Sequence, residues 1–159
     1  MNTPPATTPT CARILLVDDH PMMRRGIRQL LELEDDFLIV GEANNGEEAL
    51  ELIDSLQPQL ILLDNNMPQM NGVETLKRLR QIGYSGKILL FTVSDAEKDV
   101  RGALRFGADG YLLKDMEPEK LIQQVRVALR GELVISPTLT RVLAQALREP
   151  QATPQAELT

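Results

Sequence analysis

The sequence alternates five short apolar runs with five stretches in which apolar residues recur at helical spacing. The predicted strands are residues 13–17, 37–40, 60–63, 87–91 and 111–113. Runs that stay apolar at consecutive positions are typical of strands that are covered on both faces. The pattern therefore predicts an α/β fold with a doubly wound, five-stranded parallel sheet and helices on both sides.

Some of the predicted helices carry boundary signals. Asn45 can cap the second helix, with Glu48 at the capping-box position three residues later. Ser94 and Glu97 predict a second capping box at the start of the fourth helix. Gly107 is placed to end that helix, because glycine accepts the left-handed backbone found after many helices.

Outside the alternating pattern, the chain has a lead and a tail. Residues 1–11 are rich in Thr and Pro, and we expect them to be disordered. Residues 12–131 form the single predicted domain. Residues 132–159 contain a short amphipathic helix, near Pro137 to Leu147, followed by a polar tail, and are predicted to be a linker.

Composition narrows the function classes. The chain has 17 Lys and Arg against 23 Asp and Glu, so its formal charge of -6 disfavours binding to a polyanion such as DNA. Cys11 is the only cysteine, which fits a reducing cytosol and a cytoplasmic protein. No apolar run approaches the roughly 20 residues needed to span a bilayer, so no membrane association is expected.

Chemically distinctive residues follow four of the five predicted strands. Asp18 and Asp19 come after the first strand, Asp64 after the third, Thr92 at the end of the fourth and Lys114 after the fifth. In a doubly wound sheet, the carboxyl ends of the strands form the ligand-binding edge. One acid at a strand end is usually a loop residue or a helix cap, but this combination on four strands predicts a site.

Three neighbouring carboxylates repel one another and stay ionised only beside a cation. Oxygen ligands without His or Cys suit Mg²⁺. Lys114 can pair with a phosphoryl oxygen, and the Thr92 hydroxyl can hydrogen-bond another. The Asp64 carboxylate is then a candidate nucleophile that forms an aspartyl phosphate.

These residues resemble the receiver domains of two-component response regulators, over about residues 12–131. The matching positions are Asp18-Asp19, Asp64, Asn66-Met67-Pro68, Gly72, Thr92, Gly107-Ala108 and residues 110–114. More narrowly, the NarL/FixJ subfamily is resembled by residues 17–21, 41–43, 63–64 with 66–68, and 111–115. The resemblance implies a flavodoxin/CheY-like sheet of strand order 2-1-3-4-5 and a switch rather than a turnover enzyme.

The resemblance also assigns metal ligands and the phosphoacceptor. Asp64 would accept the phosphoryl group. Asp19 and Asp64 would bind Mg²⁺ through their side chains and Asn66 through its backbone carbonyl, whereas Asp18 would act mostly through a metal-bound water.

Three further residues would carry the switch. Thr92 would be the switch hydroxyl, Lys114 the phosphoryl-binding cation, and Tyr111 the partner whose ring turns inward on phosphorylation. Val93, beside the switch residue, is expected to tighten access to the site, and Asn65 is polar where apolar residues are frequent.

The implied partners are a sensor histidine kinase and the protein's own C-terminal helix-turn-helix domain, which is absent here. The chain stops at Leu158-Thr159, which resembles the opening of that domain, so we expect it to belong to a longer transcription factor. The surface formed by the fourth helix, fifth strand and fifth helix is a candidate homodimer face. We do not expect the chain itself to bind DNA.

Two other functions remain open. A stand-alone phosphorelay receiver would carry the same residues without a DNA-binding output. A haloacid-dehalogenase-like phosphatase also forms an aspartyl phosphate, but it needs an acid two residues after the nucleophile, where this chain has Asn66.

Two groups of charged residues near the predicted site each have a structural and a functional interpretation. His20 is expected to shape the turn into the first helix, with a catalytic base as the alternative. Arg24, Arg25 and Arg28 are expected to form a solvated helix face, with a kinase-binding face as the alternative.

Overall fold

The computed structural model describes residues 11–148. The predicted disordered lead, apart from Cys11, and the tail beyond residue 148 lie outside this range. None of the described helices is long and apolar enough to cross a membrane.

The described elements alternate strictly between strand and helix. The strands are β1 (Ala12–Val17), β2 (Phe37–Ala43), β3 (Leu60–Leu63), β4 (Lys87–Thr92), β5 (Gly110–Leu113) and β6 (Val134–Ile135). The helices are α1 (Pro21–Glu32), α2 (Gly46–Leu56), α3 (Gly72–Gln81), α4 (Glu97–Arg105), α5 (Pro118–Leu129) and α6 (Pro137–Arg148).

All strands are parallel, in the order β2-β1-β3-β4-β5-β6. The predicted doubly wound sheet of order 2-1-3-4-5 is confirmed, with one addition. The short strand β6 extends the sheet beyond β5, where five strands were predicted. Two residues are too few to give a periodic signal in the sequence, so pairing with β5 alone defines this strand.

The sheet separates two apolar layers because successive strand residues point to opposite faces. Leu15 and Leu63 face one layer, which is filled by residues from α2, α3 and α4. Ile14 and Leu62 face the other layer, under α1 and α5. Both faces are therefore buried, as the unbroken apolar runs predicted.

The two predicted capping boxes have different outcomes. Asn45 Oδ1 accepts a hydrogen bond from the Glu48 amide at 2.8 Å, so Asn45 caps α2 as predicted. The Ser94 cap is wrong, because α4 begins at Glu97 and the residue at its N-cap is Ala96, which has an extended backbone and no capping side chain. Ser94 Oγ instead donates to Asp99 Oδ2 at 2.6 Å, which ties the loop after β4 to the first turn of α4.

The segment after α5 packs against the sheet. Ser136 Oγ accepts a hydrogen bond from the Leu113 amide at 3.1 Å, at the end of β5. Leu139 of α6 is fully buried in the same layer as Val100 and Ala103 of α4. The predicted domain boundary at residue 131 stays a prediction, but β6 and α6 share the core of the preceding residues.

Candidate functional site

Strand register brings the predicted site residues together at one edge of the sheet. Val17 pairs with Leu63, so Asp18 and Asp64 leave neighbouring strands side by side. Thr92 pairs with Leu113, and the Lys114 amide donates to the Thr92 carbonyl at 2.9 Å. The carboxyl ends of four strands thus bring Asp18, Asp64, Thr92 and Lys114 to the same edge of the sheet.

The centre of this pocket is a cluster of four side chains. Asp18, Asp19, His20 and Asp64 each offer a ligand atom, and these atoms lie within 4.8 Å of one another. Asp64 is only 2% exposed. Asp19 Oδ1 and Asp64 Oδ2 are buried and accept no well-directed hydrogen bond among residues 11–148, although the exposed His20 ring places Nδ1 3.0 Å from Asp19 Oδ1.

Two unsatisfied carboxylate oxygens in one pocket are costly unless a cation or donor meets them. The donor set is dominated by carboxylate oxygens, which hard cations such as Mg²⁺ prefer. The residues therefore fit the predicted metal, and the orphaned oxygens mark where its ligands converge.

Lys114 is the internal counter-charge of the pocket. Its Nζ lies 2.7 Å from Asp18 Oδ2 and 3.6 Å from Asp64 Oδ1, and its side chain is buried. Burial raises the pKa of Asp64, and this effect is opposed by the Lys114 charge and reinforced by Asp18. The lysine offsets only part of the cost of burying the carboxylates, which leaves the site electrostatically prepared for a second cation.

His20 lies at the rim of the pocket. Its backbone amide donates to Asp18 Oδ1 at 2.8 Å, so it does shape the turn into α1. Its exposed imidazole also contacts the same carboxylate, with Nδ1 3.0 Å from Asp18 Oδ1, and this hydrogen bond raises the pKa of His20. The sequence predicted the turn but not the place of this ring beside the carboxylates.

The predicted switch hydroxyl, that of Thr92, already makes a hydrogen bond. Thr92 is fully buried, and its Oγ1 donates to Asn66 Oδ1 at 3.0 Å. The Asn66 amide in turn donates to Asp64 Oδ1 at 3.2 Å. Asn66 therefore connects the hydroxyl to the candidate phosphoacceptor through its own side chain and backbone.

The Tyr111 ring is fully buried, and its hydroxyl donates to the Ser94 carbonyl at 2.9 Å. Burial raises the pKa of Tyr111 to about 12, so the hydroxyl stays protonated at neutral pH. The predicted inward rotation would start from an outward ring, whereas this ring already lies inside.

Two residues shape the loop after Asp64. Asn65 is buried, and its Oδ1 accepts from the Val73 amide at 2.9 Å in the first turn of α3. This bond explains why the residue beside Asp64, the candidate phosphoacceptor, has a polar side chain. Gly72 is needed because a Cβ there would lie 2.5 Å from the Asp64 carbonyl oxygen.

An open groove of about 540 Å³ lies over the Asp64 carboxylate. Met22 and Val93 form apolar walls and are 88% and 66% exposed. Val93 thus stands beside the approach to Asp64 and does not cover it. Its predicted effect on access stays a prediction.

The arginines of α1 do not form a uniform solvated face. Arg24 Nε donates to Glu42 Oε1 at 2.7 Å, and Arg28 Nη1 donates to Glu42 Oε2 at 2.6 Å. A second branch of Arg24 donates to the backbone carbonyl of Asp18. Only Arg25 is exposed as predicted. Arg24 was missed as a site residue because a charged residue on a helix is assigned to solvent by default.

The chain is similar to known proteins in sequence. The family described as response regulator receiver domain matches residues 14–126. The nitrate/nitrite response regulator protein NarL of Escherichia coli (strain K12) is 55% identical over 147 residues, covering 92% of this chain and 68% of that protein. NarP of the same organism is 45% identical over 141 residues, covering 89% of this chain and 65% of NarP. The chain spans about two thirds of these relatives.

Two solved structures extend the similarity to the fold. A LuxR-family two-component response regulator from Aurantimonas sp. SI85-9A1 has a TM-score of 0.83 at 33% identity, covering 88% of this chain and 100% of that chain. A receiver domain assigned to NarL of Mycobacterium tuberculosis has a TM-score of 0.74 at 35% identity, covering 78% and 100%.

Proposed function

Because the chain belongs to the response regulator receiver domain family, we propose that it is switched by transfer of a phosphoryl group to Asp64. One observation carries the assignment. The Asp64 carboxylate is buried, yet Oδ2 has no partner among the described residues and faces a groove that reaches solvent. The two neighbouring carboxylates each have a closer cation or donor: Lys114 Nζ lies 2.7 Å from Asp18 Oδ2, and His20 Nδ1 lies 3.0 Å from Asp19 Oδ1.

The same pocket would hold Mg²⁺. Asp19 and Asp64 supply side-chain oxygens, Asn66 supplies its backbone carbonyl, and Asp18 acts through a bound water. The orphaned oxygens of Asp19 and Asp64 support this assignment. When bound, the ion would neutralise charge between the carboxylates and the incoming phosphoryl group.

The transfer itself needs a reactive phosphodonor, which in this family is a phosphohistidine of a sensor histidine kinase. A carboxylate oxygen of Asp64 forms a bond to phosphorus while the phosphorus–nitrogen bond of the donor breaks. The electron pair of that bond leaves with the imidazole, which then takes a proton from solvent. Lys114 lies 3.6 Å from Asp64 Oδ1, close enough to exchange Asp18 for a phosphoryl oxygen.

The signal would leave the site through Thr92. To reach a phosphoryl oxygen, its hydroxyl must give up Asn66 Oδ1. The next loop residues are tied to α4 through Ser94 and Asp99, and to β5 through Ser94 and Tyr111. A change at Thr92 therefore shifts the preferred arrangement of this loop and of α4.

The output that fits the relatives is control of transcription. NarL and NarP are named nitrate/nitrite response regulators, and DegU of Brevibacillus brevis, 38% identical over 136 residues, is named a transcriptional regulatory protein. We assign this chain the same role, through a helix-turn-helix domain beyond Thr159 and with nitrate or nitrite as the signal. A reading frame without that domain would favour the stand-alone relay. The comparisons give no support to the phosphatase.

A receiver dimer on the face of α4, β5 and α5 is part of this proposal, but α6 packs against α4. Leu139 is buried beside Val100 and Ala103, so α6 covers part of that face. Dimerisation there requires α6 to move. Sedimentation velocity should show a dimer with the phosphoryl analogue beryllofluoride, and more dimer for Leu139→Ala. A monomer under both conditions would remove this face from the proposal.

Intact-mass measurement after treatment with acetyl phosphate and Mg²⁺ tests the phosphoacceptor. Wild type should gain one phosphoryl group, mapped to Asp64, and Asp64→Asn should gain none while keeping the wild-type circular dichroism spectrum. Asp115→Asn, which lies one residue beyond the pocket lysine, serves as a matched control and should still be labelled. Labelling of Asp64→Asn would move the phosphoacceptor elsewhere.

A further inference from the structure

We propose that Arg24 is a positioning residue for the magnesium site, because it holds the peptide group between Asp18 and Asp19. The inference rests on the proposed metal site and adds a residue that touches neither metal nor phosphate. The Arg24 side chain is only 12% exposed, although the residue lies in the first turns of a surface helix.

Arg24 bridges three segments of the chain. Nη1 donates to the Asp18 carbonyl and, at 2.9 Å, to Asn44 Oδ1, and Nε donates to Glu42 Oε1 at 2.7 Å. The turn after β1, the end of β2 and the loop before α2 therefore meet at one guanidinium. A planar group with donors in fixed directions suits this task, whereas a lysine would bind them as a single point charge.

The acceptors are themselves held in place. Asn44 Nδ2 donates to Glu48 Oε1 at 3.2 Å, which leaves its amide oxygen directed at Arg24. Glu42 also binds Arg28, and these arginines lower the pKa of Glu42, so it stays charged at neutral pH. The side-chain acceptors of the Arg24 guanidinium are therefore held in position by other residues.

The Asp18 carbonyl belongs to the peptide plane that leads into Asp19. The Asp18 amide is fixed by the Ala43 carbonyl at 3.1 Å, so Arg24 fixes the other end of the residue. With both ends held, the Asp19 side chain leaves the turn in one direction, toward the orphaned oxygen of Asp64. Without Arg24, the Asp18–Asp19 peptide gains freedom to rotate, and the two metal-binding oxygens no longer stay together.

Electrostatics alone predicts the opposite effect, which makes the inference testable by sign. Removing a positive charge close to an acidic pocket should strengthen binding of a dication. If Arg24 positions the ligands, its removal should weaken binding instead, since groups that orient metal ligands typically affect affinity by about tenfold or more.

The test is an NMR titration of the 159-residue chain with Mg²⁺, following the backbone amides of residues 18–20. Arg24→Met should bind Mg²⁺ about tenfold more weakly than wild type. Arg28→Met is the matched control, because it removes the same charge from the same helix and the same Glu42, but not a contact with Asp18. It should stay within about twofold of wild type or bind more tightly.

The metal-free spectra show whether the substitution acts at the peptide between Asp18 and Asp19, while Mg²⁺ affinity measured on folded protein separates positioning from a purely structural role. Arg24→Met should shift the Asp19 amide in the absence of Mg²⁺, whereas Arg28→Met should not. Urea denaturation without metal gives the folded fraction of each variant. If Arg24→Met does not fold, Arg24→Lys replaces it and should bind Mg²⁺ more weakly than Arg28→Met.

The possible results separate the two proposals. If wild type shows no Mg²⁺ response, the metal site fails and this inference with it. If wild type binds Mg²⁺ but Arg24→Met binds equally well or better, or both variants weaken alike, the positioning role of Arg24 is wrong and the metal site stands.

Discussion

The two ends of the sheet treat their carboxylates in opposite ways. At the amino end of β5, Asp109 Oδ2 accepts hydrogen bonds from the Ile88 amide and from Arg80 Nη2, both at 2.9 Å. At the carboxyl end of β3, Asp64 Oδ2 is buried without a partner among residues 11–148. Protein donors satisfy the first carboxylate, whereas the second keeps an oxygen that a cation or a covalent group can use.

Arg80 is the centre of the hydrogen-bond network at the amino end of the sheet. Besides Asp109, its guanidinium donates to the carbonyls of Tyr84, Gly86 and Gly107, each within 3.2 Å. One side chain therefore joins the loop before β4 to the loop before β5. The lesson is that satisfied polar networks mark the structural end of this sheet, while unsatisfied oxygens mark the reactive end.

The largest effect on stability should come from breaking the completed network. Arg80→Met leaves several carbonyls and Asp109 without their donor, and we expect a loss of about 2 kcal/mol in the free energy of unfolding. Urea denaturation at neutral pH measures it. Labelling of Asp64 should persist in the folded variant, because the hydrogen bonds of Arg80 within residues 11–148 go to Tyr84, Gly86, Gly107 and Asp109 and not to the site residues.

Arg78→Met is the control for that measurement. Arg78 lies on the same helix and is 53% exposed, and its salt bridge within the described residues is to Glu74, at 3.6 Å, so the expected change is below about 0.5 kcal/mol. Equal losses for the two variants would show that the Arg80 network adds nothing beyond a helix-surface charge.

A smaller effect on stability should appear when Mg²⁺ binds at the carboxyl end of the sheet. At ten times its dissociation constant, Mg²⁺ should raise the free energy of unfolding of wild type by about 1.4 kcal/mol, because it binds only the folded state. The shift in urea midpoint measures this gain. Asp64→Asn should lose most of it and Asp109→Asn should keep it, and an equal gain in both variants would place the cation outside the pocket.

The sequence predicted the reactive end better than the structural end. Asp18, Asp64 and Lys114 could be placed because unbroken apolar runs define the strand ends, and parallel strands bring those ends together. Strand β6 could not be predicted, since two residues carry no period and acquire a partner only when β5 is in place. Ser94 matched a capping pattern, but Asp99 competed for its hydroxyl.

Arg24 and Arg80 were beyond sequence reasoning for a common physical reason. Each binds backbone carbonyls, and a carbonyl leaves no signature in the sequence. Their partners also lie on other segments, so spacing along the chain says nothing about the contact. Residues that act through backbone groups therefore emerge only from coordinates.

The smallest effect should come from a carboxylate that is satisfied but exposed. Arg126 donates to both oxygens of Asp36 at 2.8 and 2.9 Å, and this pairing lowers the pKa of Asp36 below its ordinary value. A lowered pKa in the folded state gives stability that is present above the unfolded pKa, about 3.9, and is lost as the pH falls through the folded pKa.

Arg126→Met should therefore flatten the loss of stability below about pH 4, by less than about 1 kcal/mol because both side chains are more than a third exposed. Urea midpoints between pH 6 and pH 2.5, at low and high salt, measure the difference. The gap between wild type and variant should shrink with salt, since screening weakens exposed pairs most.

A gap that persists in 1 M salt would mean that Arg126 stabilises mainly by packing on the Phe37 ring, whose centroid lies 5.1 Å from the guanidinium carbon. The Arg126–Asp36 pair would then be a structural contact, like the Arg80 network at the amino end of the sheet. Electrostatic effects on stability would be largest for the buried carboxylates at the carboxyl end.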